Sequence, residues 1–260
     1  MSNIAKIQKV YPLTSMQEGM LFHALLDKQS QAYFEQTSFT LHGNLDIDIF
    51  EQSFNTLVQR YDILRTNVIY ENLQRPRQVV LKEKVLKVDF HNISLQNEIE
   101  QQTFIAAYKQ QDREKGFDLT KDVLMRVAVL KTGRETYEVI WSFHHILMDG
   151  WCMGIIIKEF FQIYQSLKGN QPLHLEEVSP YSQYITWLEK QDKEEAGLYW
   201  KNYLVDYGQK AGLPKRTNLK PAGYQQEHIS FTLDEELTRK LEQTASNNGV
   251  TLNTVFQSIW

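Results

Sequence analysis

The chain has 260 residues, 42% of them hydrophobic and 12% aromatic, which is enough apolar side chain for a sizeable core and too much for a disordered protein. Its formal charge of -4 is spread along the chain, so no basic face points to nucleic acid, and no run approaches the ~20 apolar residues of a membrane span. The single cysteine, Cys152, excludes a disulfide framework, and the N-terminus lacks a signal-peptide core; both fit a reducing, cytoplasmic compartment.

Helical and strand patterns alternate, which implies an α/β or mixed α+β architecture. Thr14 and Gln17 form a Thr-x-x-Gln capping box that starts a helix running to about Leu26. Tyr33 to Leu41 reads as a strand. Asp48 to Tyr61 reads as a helix, with Phe50, Phe54, Leu57, Val58 and Tyr61 at three-to-four spacing. Arg65 to Tyr70 and Arg77 to Leu81 read as paired strands, and Leu95 to Glu114 as a helix stopped by Gly116. Met125 to Leu130 and Thr136 to Phe143 form the clearest hairpin, turning near Gly133. From Gly150 an amphipathic helix runs to Lys168, burying Ile156, Phe160, Ile163, Tyr164 and Leu167 on one face.

Gln171 to Val178 reads as a linker. Ser179-Pro180 is an N-cap with proline at the first helical position, ahead of a helix carrying Tyr181, Tyr184, Ile185 and Leu188. Gly208 to Gly223 reads as a loop, His228 to Leu233 as a short strand, and Leu237 to Ala245 as a helix. Thr251 opens a last helix whose Val255, Phe256, Ile259 and Trp260 end the chain without a stop signal, so a fragment of a longer polypeptide is expected.

The segment Ser142-Phe143-His144-His145-Ile146-Leu147-Met148-Asp149-Gly150-Trp151-Cys152 lies where a strand ends and a helix begins. Alternation along the strand sends His144 and His145 opposite ways, one into packing and the other toward a cavity. Gly150 permits a sharp turn or a close backbone approach. Adjacent histidines that point apart, with no His-Glu-x-x-His helix or cysteine cluster nearby, do not make a metal site. Cys152 lacks the surroundings of a nucleophile and reads as a packing residue. His23, His42, His91, His174 and His228 carry no supporting pattern.

This segment resembles the His-His-x-x-x-Asp-Gly motif of condensation domains in nonribosomal peptide synthetases, part of the superfamily similar to chloramphenicol acetyltransferase. Other segments match in order. Thr14-Ser15-Met16-Gln17-Glu18-Gly19-Met20-Leu21 resembles the family's first motif, and Arg60-Tyr61-Asp62-Ile63-Leu64-Arg65-Thr66 its second, with Tyr61 and Asp62 replacing the usual His and Glu. Tyr181-Ser182-Gln183-Tyr184-Ile185-Thr186-Trp187 resembles the fourth, with Gln183 in place of Asp, and Tyr199-Trp200 the aromatic pair that follows.

The resemblance implies a two-layer α+β sandwich. Residues 13–175 would form an N-terminal acetyltransferase-like lobe and residues 176–260 the truncated start of a second, with residues 1–12 a docking segment. It implies an amine of an acceptor aminoacyl carrier attacking a donor peptidyl or aminoacyl thioester. His145, Asp149 and Gly150 would form the reaction centre, supported by His144, Arg60, Arg65 and Trp200. Asp149 is expected to pair with Arg60 or, failing that, Arg65, and Trp200 to pack more than to touch substrate. His145 either accepts a proton or holds the amine. No cofactor is bound, since substrates ride on the phosphopantetheine of donor and acceptor carrier domains. The donor comes from a separate upstream synthetase if Met1 is the initiator. An epimerization domain of the same fold, a non-catalytic carrier-docking module and a free acyl-CoA transferase remain as alternatives.

Overall fold

The computed structural model describes residues 6–26, 31–208 and 229–259, which form two units, one within residues 1–208 and one within 209–260. The first contains two sheets. Strands β1 (Ile7–Pro12), β3 (Thr66–Ile69) and β4 (Arg77–Leu81) make an antiparallel sheet in the order β1-β4-β3. Strands β2 (Phe34–His42), β5 (Val88–Asn92), β6 (Met125–Lys131) and β7 (Thr136–His144) make the other in the order β2-β7-β6-β5. Only the β5–β6 pair of that sheet is parallel, joined through helix α3 (Glu98–Lys115) as a parallel crossover requires.

The expected mixed class is the one observed, and burial explains it. In β6 and β7 the run from Val127 to Leu130 and from Val139 to Phe143 is buried without alternation, because both sheet faces are covered. Helices α2 (Ile47–Arg60) and α4 (Gly150–Gly169) cover one face, placing Phe50, Phe54, Leu57, Ile156, Phe160 and Ile163 against Val127, Val129, Val139 and Trp141. Helix α3 covers the other, where Ile105 packs with Ile93, Ala128, Leu130 and Ile140. The Phe54 ring lies 4.5 Å from Phe160 and 5.9 Å from Trp141, tying both helices to the sheet.

Caps set the helix ends. Asp46 accepts from the Ile49 N–H at 3.0 Å to start α2, and Asn97 with Glu100 forms a reciprocal capping box on α3. The predicted box at Thr14 and Gln17 is present and starts α1 (Ser15–Leu26). Helix α5 (Tyr181–Glu189) begins one residue later than the Ser179 cap predicts, with Pro180 itself in the cap position.

Several elements escape the sequence pattern. Residues 7–12 form a strand paired with β4 whose burial alternates although its residue types do not, Gln8-Lys9 and Val10-Tyr11 standing side by side. β5 alternates in residue type but is only five residues long, and α6 (Lys193–Tyr203) has no buried residue. In the second unit, α7 (Glu235–Asn247) is capped by Asp234 and followed by α8 (Leu252–Ile259). Ile229 to Leu233 is not a strand, and Trp260, His228 and most of the loop expected from Gly208 to Gly223 lie outside the described residues. Phe54→Ala should lower stability by about 3–5 kcal/mol in equilibrium urea unfolding, since it opens a cavity between α2, α4 and the sheet.

Candidate functional site

Strand β7 stops at His144, and the chain turns through residues 145–149 before α4 begins at Gly150. The turn is held by its peptide groups. His145 donates its N–H to the Tyr33 carbonyl at 2.8 Å, and Leu147 donates to the His144 carbonyl at 3.0 Å. His144 accepts the Ile146 N–H on Nδ1 at 3.1 Å, and Gln17 donates from Nε2 to the Ile146 carbonyl at 3.1 Å. The peptide groups flanking His145 are therefore pinned from both sides of the chain.

His144 is packed and His145 half-buried, but the cleft at this end of the sheet is lined by His144, not by the histidine expected to face a cavity. His144 is buried, and that burial, followed by the charge of His145, pushes its pKa down to about 4. It stays neutral, and its acceptor Nδ1 requires the proton to sit on Nε2. His145 is half-buried, and its ring lies parallel to Tyr33 with centroids 6.4 Å apart. Its Nδ1 is buried without a hydrogen-bond partner, uncommon for a buried polar atom. Tyr33 has φ of 65°, the left-handed region that side-chain-bearing residues rarely adopt, directly where its carbonyl meets His145. A cleft of about 360 Å³ opens beside His144, between the end of α1 and the end of α3.

Among the described residues Asp149 does not pair with an arginine. Its exposed carboxylate caps α4, accepting from the Trp151 N–H at 3.0 Å and the Cys152 N–H at 3.1 Å. The Cys152 backbone and thiol, the Trp151 N–H and the charge of His145 hold this carboxyl below the usual range. Arg60 is instead engaged by Glu159 through Nε at 2.9 Å and Nη2 at 3.0 Å, and by the Glu176 carbonyl. Arg65 is buried and donates to the carbonyls of Val58, Gln59 and Leu81 and to the Gln8 side chain. The motif's arginines thus fasten α2 to α4 and to the three-stranded sheet. They act at a distance from the carboxylate because helix capping already satisfies it.

Gly150 is the first residue of α4, its φ is not positive, and a Cβ there would meet nothing within 4 Å. Its surroundings leave room for a close approach, and the backbone itself makes no demand for glycine. Cys152 is part-buried, and burial, the largest of several influences, raises its thiol pKa, which suits packing and not nucleophilic attack. Trp200 lies on α6, 56% exposed, edge-on to Tyr199 and Tyr203 of its own helix. Among the described residues these ring contacts stay within α6 and do not reach the turn. Tyr33 and Gln78 were missed by the sequence reading; the only signal was a lone amide inside the apolar strand Gln78-Val79-Val80-Leu81. Among the described residues no group of three or more His, Cys, Asp or Glu side chains could hold a metal ion.

Two outcomes follow from these contacts. Asp149→Asn should keep stability within about 0.5 kcal/mol and Asp149→Ala should lose about 1 kcal/mol, because asparagine caps as well as aspartate; a buried ion pair would instead make both variants costly. His144 binds a proton more readily in the unfolded chain, whose histidine pKa is near ~6.5, than in the fold at about 4. Its contribution to stability is present above that upper value and is lost as pH falls through the window, a loss of roughly 3 kcal/mol that His144→Gln should remove from a pH-dependent unfolding series.

The comparisons with known proteins agree. The model for the Condensation domain matches residues 7–260. The chain is 49% identical over 98% of its length to gramicidin S synthase 2 of Brevibacillus brevis, and 48% identical over 98% of its length to tyrocidine synthase 2 of Brevibacillus parabrevis. It spans only 6% and 7% of those proteins. Among solved structures, the starter condensation domain of the rhizomide synthetase aligns with TM-score 0.68 at 17% identity, over 80% of this chain and 52% of that one. A four-domain nonribosomal peptide synthetase bound to AMP and glycine aligns with TM-score 0.60 at 19% identity, over 76% of this chain and 15% of that one. With the motif turn in place between β7 and α4 and the family model matched from Ile7 onward, the chain belongs to the condensation-domain family.

Proposed function

We propose that this chain forms part of a domain that joins two carrier-borne groups through a peptide bond, with His145 at the reacting centre. One observation carries the reading: the backbone on both sides of His145 is tied down, while the ring is half-buried with an unpartnered Nδ1. A side chain whose root is fixed on both sides presents its imidazole in one place, which is what positioning a reacting group requires.

The nucleophile is an aminoacyl amine and the electrophile a peptidyl or aminoacyl thioester, each on the phosphopantetheine arm of a carrier domain and so substrate, not a resident cofactor. Nitrogen attacks the carbonyl carbon, the C–N bond forms, and the tetrahedral centre collapses with loss of the C–S bond. The amine surrenders one proton, and the departing thiolate takes one up, so no outside reactant is needed. His145 either carries that proton or orients the amine by hydrogen bonding; an α-amine with a pKa of about 8 is already partly neutral near neutrality, so either role suffices. Asp149 serves by capping α4, which fixes the far end of the turn. The donor and acceptor carriers are the partners, and the cytoplasm is the compartment, in keeping with a lone free cysteine. Among the described residues no helix is long and apolar enough to cross a membrane.

In the full-length synthetase, loaded with donor and acceptor on their carriers, His145→Ala should lower dipeptide formation by about 10²- to 10⁴-fold while carrier loading is unchanged. Rapid-quench product analysis reads this directly. Undiminished dipeptide would sink the proposal, and stereochemical inversion of the donor without any coupling would assign the site to epimerization instead.

A further inference from the structure

From the sequence, Gln17 closes a capping box and belongs to the segment that resembles the family's first motif. In the structure its side-chain amide uses every hydrogen-bonding valence it has. Oε1 accepts from the Thr14 N–H at 3.1 Å and from Gln78 Nε2 at 2.7 Å; Nε2 donates to Gln78 Oε1 at 3.1 Å and to the Ile146 carbonyl at 3.1 Å. The pair is deeply enclosed, Gln17 being 5% exposed and Gln78 1%. Gln78 sits at the centre of the three-stranded sheet, opposite Tyr11 on one side and Val68 on the other. Ile146 follows His145 in the turn that ends the four-stranded sheet.

One buried amide therefore joins the start of α1, the middle strand of one sheet and the reacting turn of the other. A helix cap alone does not call for this arrangement, since a glutamate would cap as well. What an amide adds is a donor, and the donor is spent on the turn. We propose that Gln17, braced by Gln78, is a positioning residue for His145: it holds the Ile146 carbonyl and so sets where the imidazole root lies. The inference rests on His145 being the reacting group.

The test separates positioning from plain stability. Leaving one buried amide unpartnered is costly, whereas replacing both members of a buried pair by apolar groups of similar shape is close to neutral. Gln17→Met should destabilise the protein. The double variant Gln17→Met, Gln78→Met relieves the stranded Gln78 amide and should regain part of that stability, while the Thr14 N–H and the Ile146 carbonyl still lack their side-chain partner. In the full-length synthetase the double variant should show kcat lowered about a hundredfold, with KM for the acceptor near the parent value. Amide hydrogen exchange over residues 144–148 should quicken without a matching change in β6 or α2. Gln78→Met alone leaves the Gln17 donor on Ile146 and should cost kcat far less than the double variant does.

If kcat returns together with stability in the double variant, or the turn exchanges at the parent rate, the inference is overturned. A hundredfold loss of kcat in Gln78→Met alone would overturn it too, because the donor to the turn is still in place. His145→Ala serves as the control: full activity there defeats the functional reading, whereas activity lost there but kept in the double variant defeats only the role of Gln17.

Discussion

A strand must become a helix within five residues, between His144 and Gly150, and the peptide groups of that bend must be satisfied without ordinary ladder bonds. The solution draws on two distant parts of the chain and on one neighbour. Tyr33 supplies a carbonyl from the entry to β2, Gln17 supplies an amide donor from α1, and His144 turns its own ring back on Ile146. Neutral imidazole is essential to the last of these, because a protonated ring has no acceptor to offer. Burial keeps His144 neutral, so the packing of one histidine governs the placement of the next.

The scaffold around the bend is stiff for a separate reason. The four-stranded sheet is covered on both faces, and the aromatic cluster of Phe50, Phe54, Trp141 and Phe160 binds α2 and α4 to it. Arg60 reinforces the same contact with a two-point ion pair to Glu159. Arg126 does so on the other face, where it meets Asp112 at 2.6 Å and lies 4.0 Å over the Phe117 ring, closing the end of α3 against β6. Helix α4 thus starts from a fixed base, and its capped first turn presents Asp149 and Gly150 at a defined height.

Much of this was legible in the sequence where periodicity and motif agreed. The helices from Asp48, Leu95 and Gly150 and the hairpin ending at Phe143 were read within a few residues of their observed limits, because long amphipathic runs leave a strong pattern. β1 was missed because its residue types do not follow its alternating burial, and β5 because five residues make too short a run to stand out. Within the site, the burial of one histidine was anticipated, but the cleft beside it and the partner of Asp149 were not. The resemblance implied an ion pair with a second-motif arginine, while the dominant fact was local: Asp149 precedes a helix whose first N–H groups need an acceptor. The contacts of Tyr33 and Gln78 join residues far apart in the chain, and no spacing in a single sequence encodes them.

The first turn of α4 also carries Trp151, which is 90% exposed and stands two residues past Asp149. An indole in water emits at long wavelength and is readily quenched by small solutes. Trp141, enclosed in the core beneath the same helix, is shielded from both effects. Trp151 therefore stands in water beside the bend, with Trp141 sheltered under it. With Trp187, Trp200 and Trp260 replaced by phenylalanine, anything that covers the start of α4 would register as a blue shift and lost quenching at Trp151.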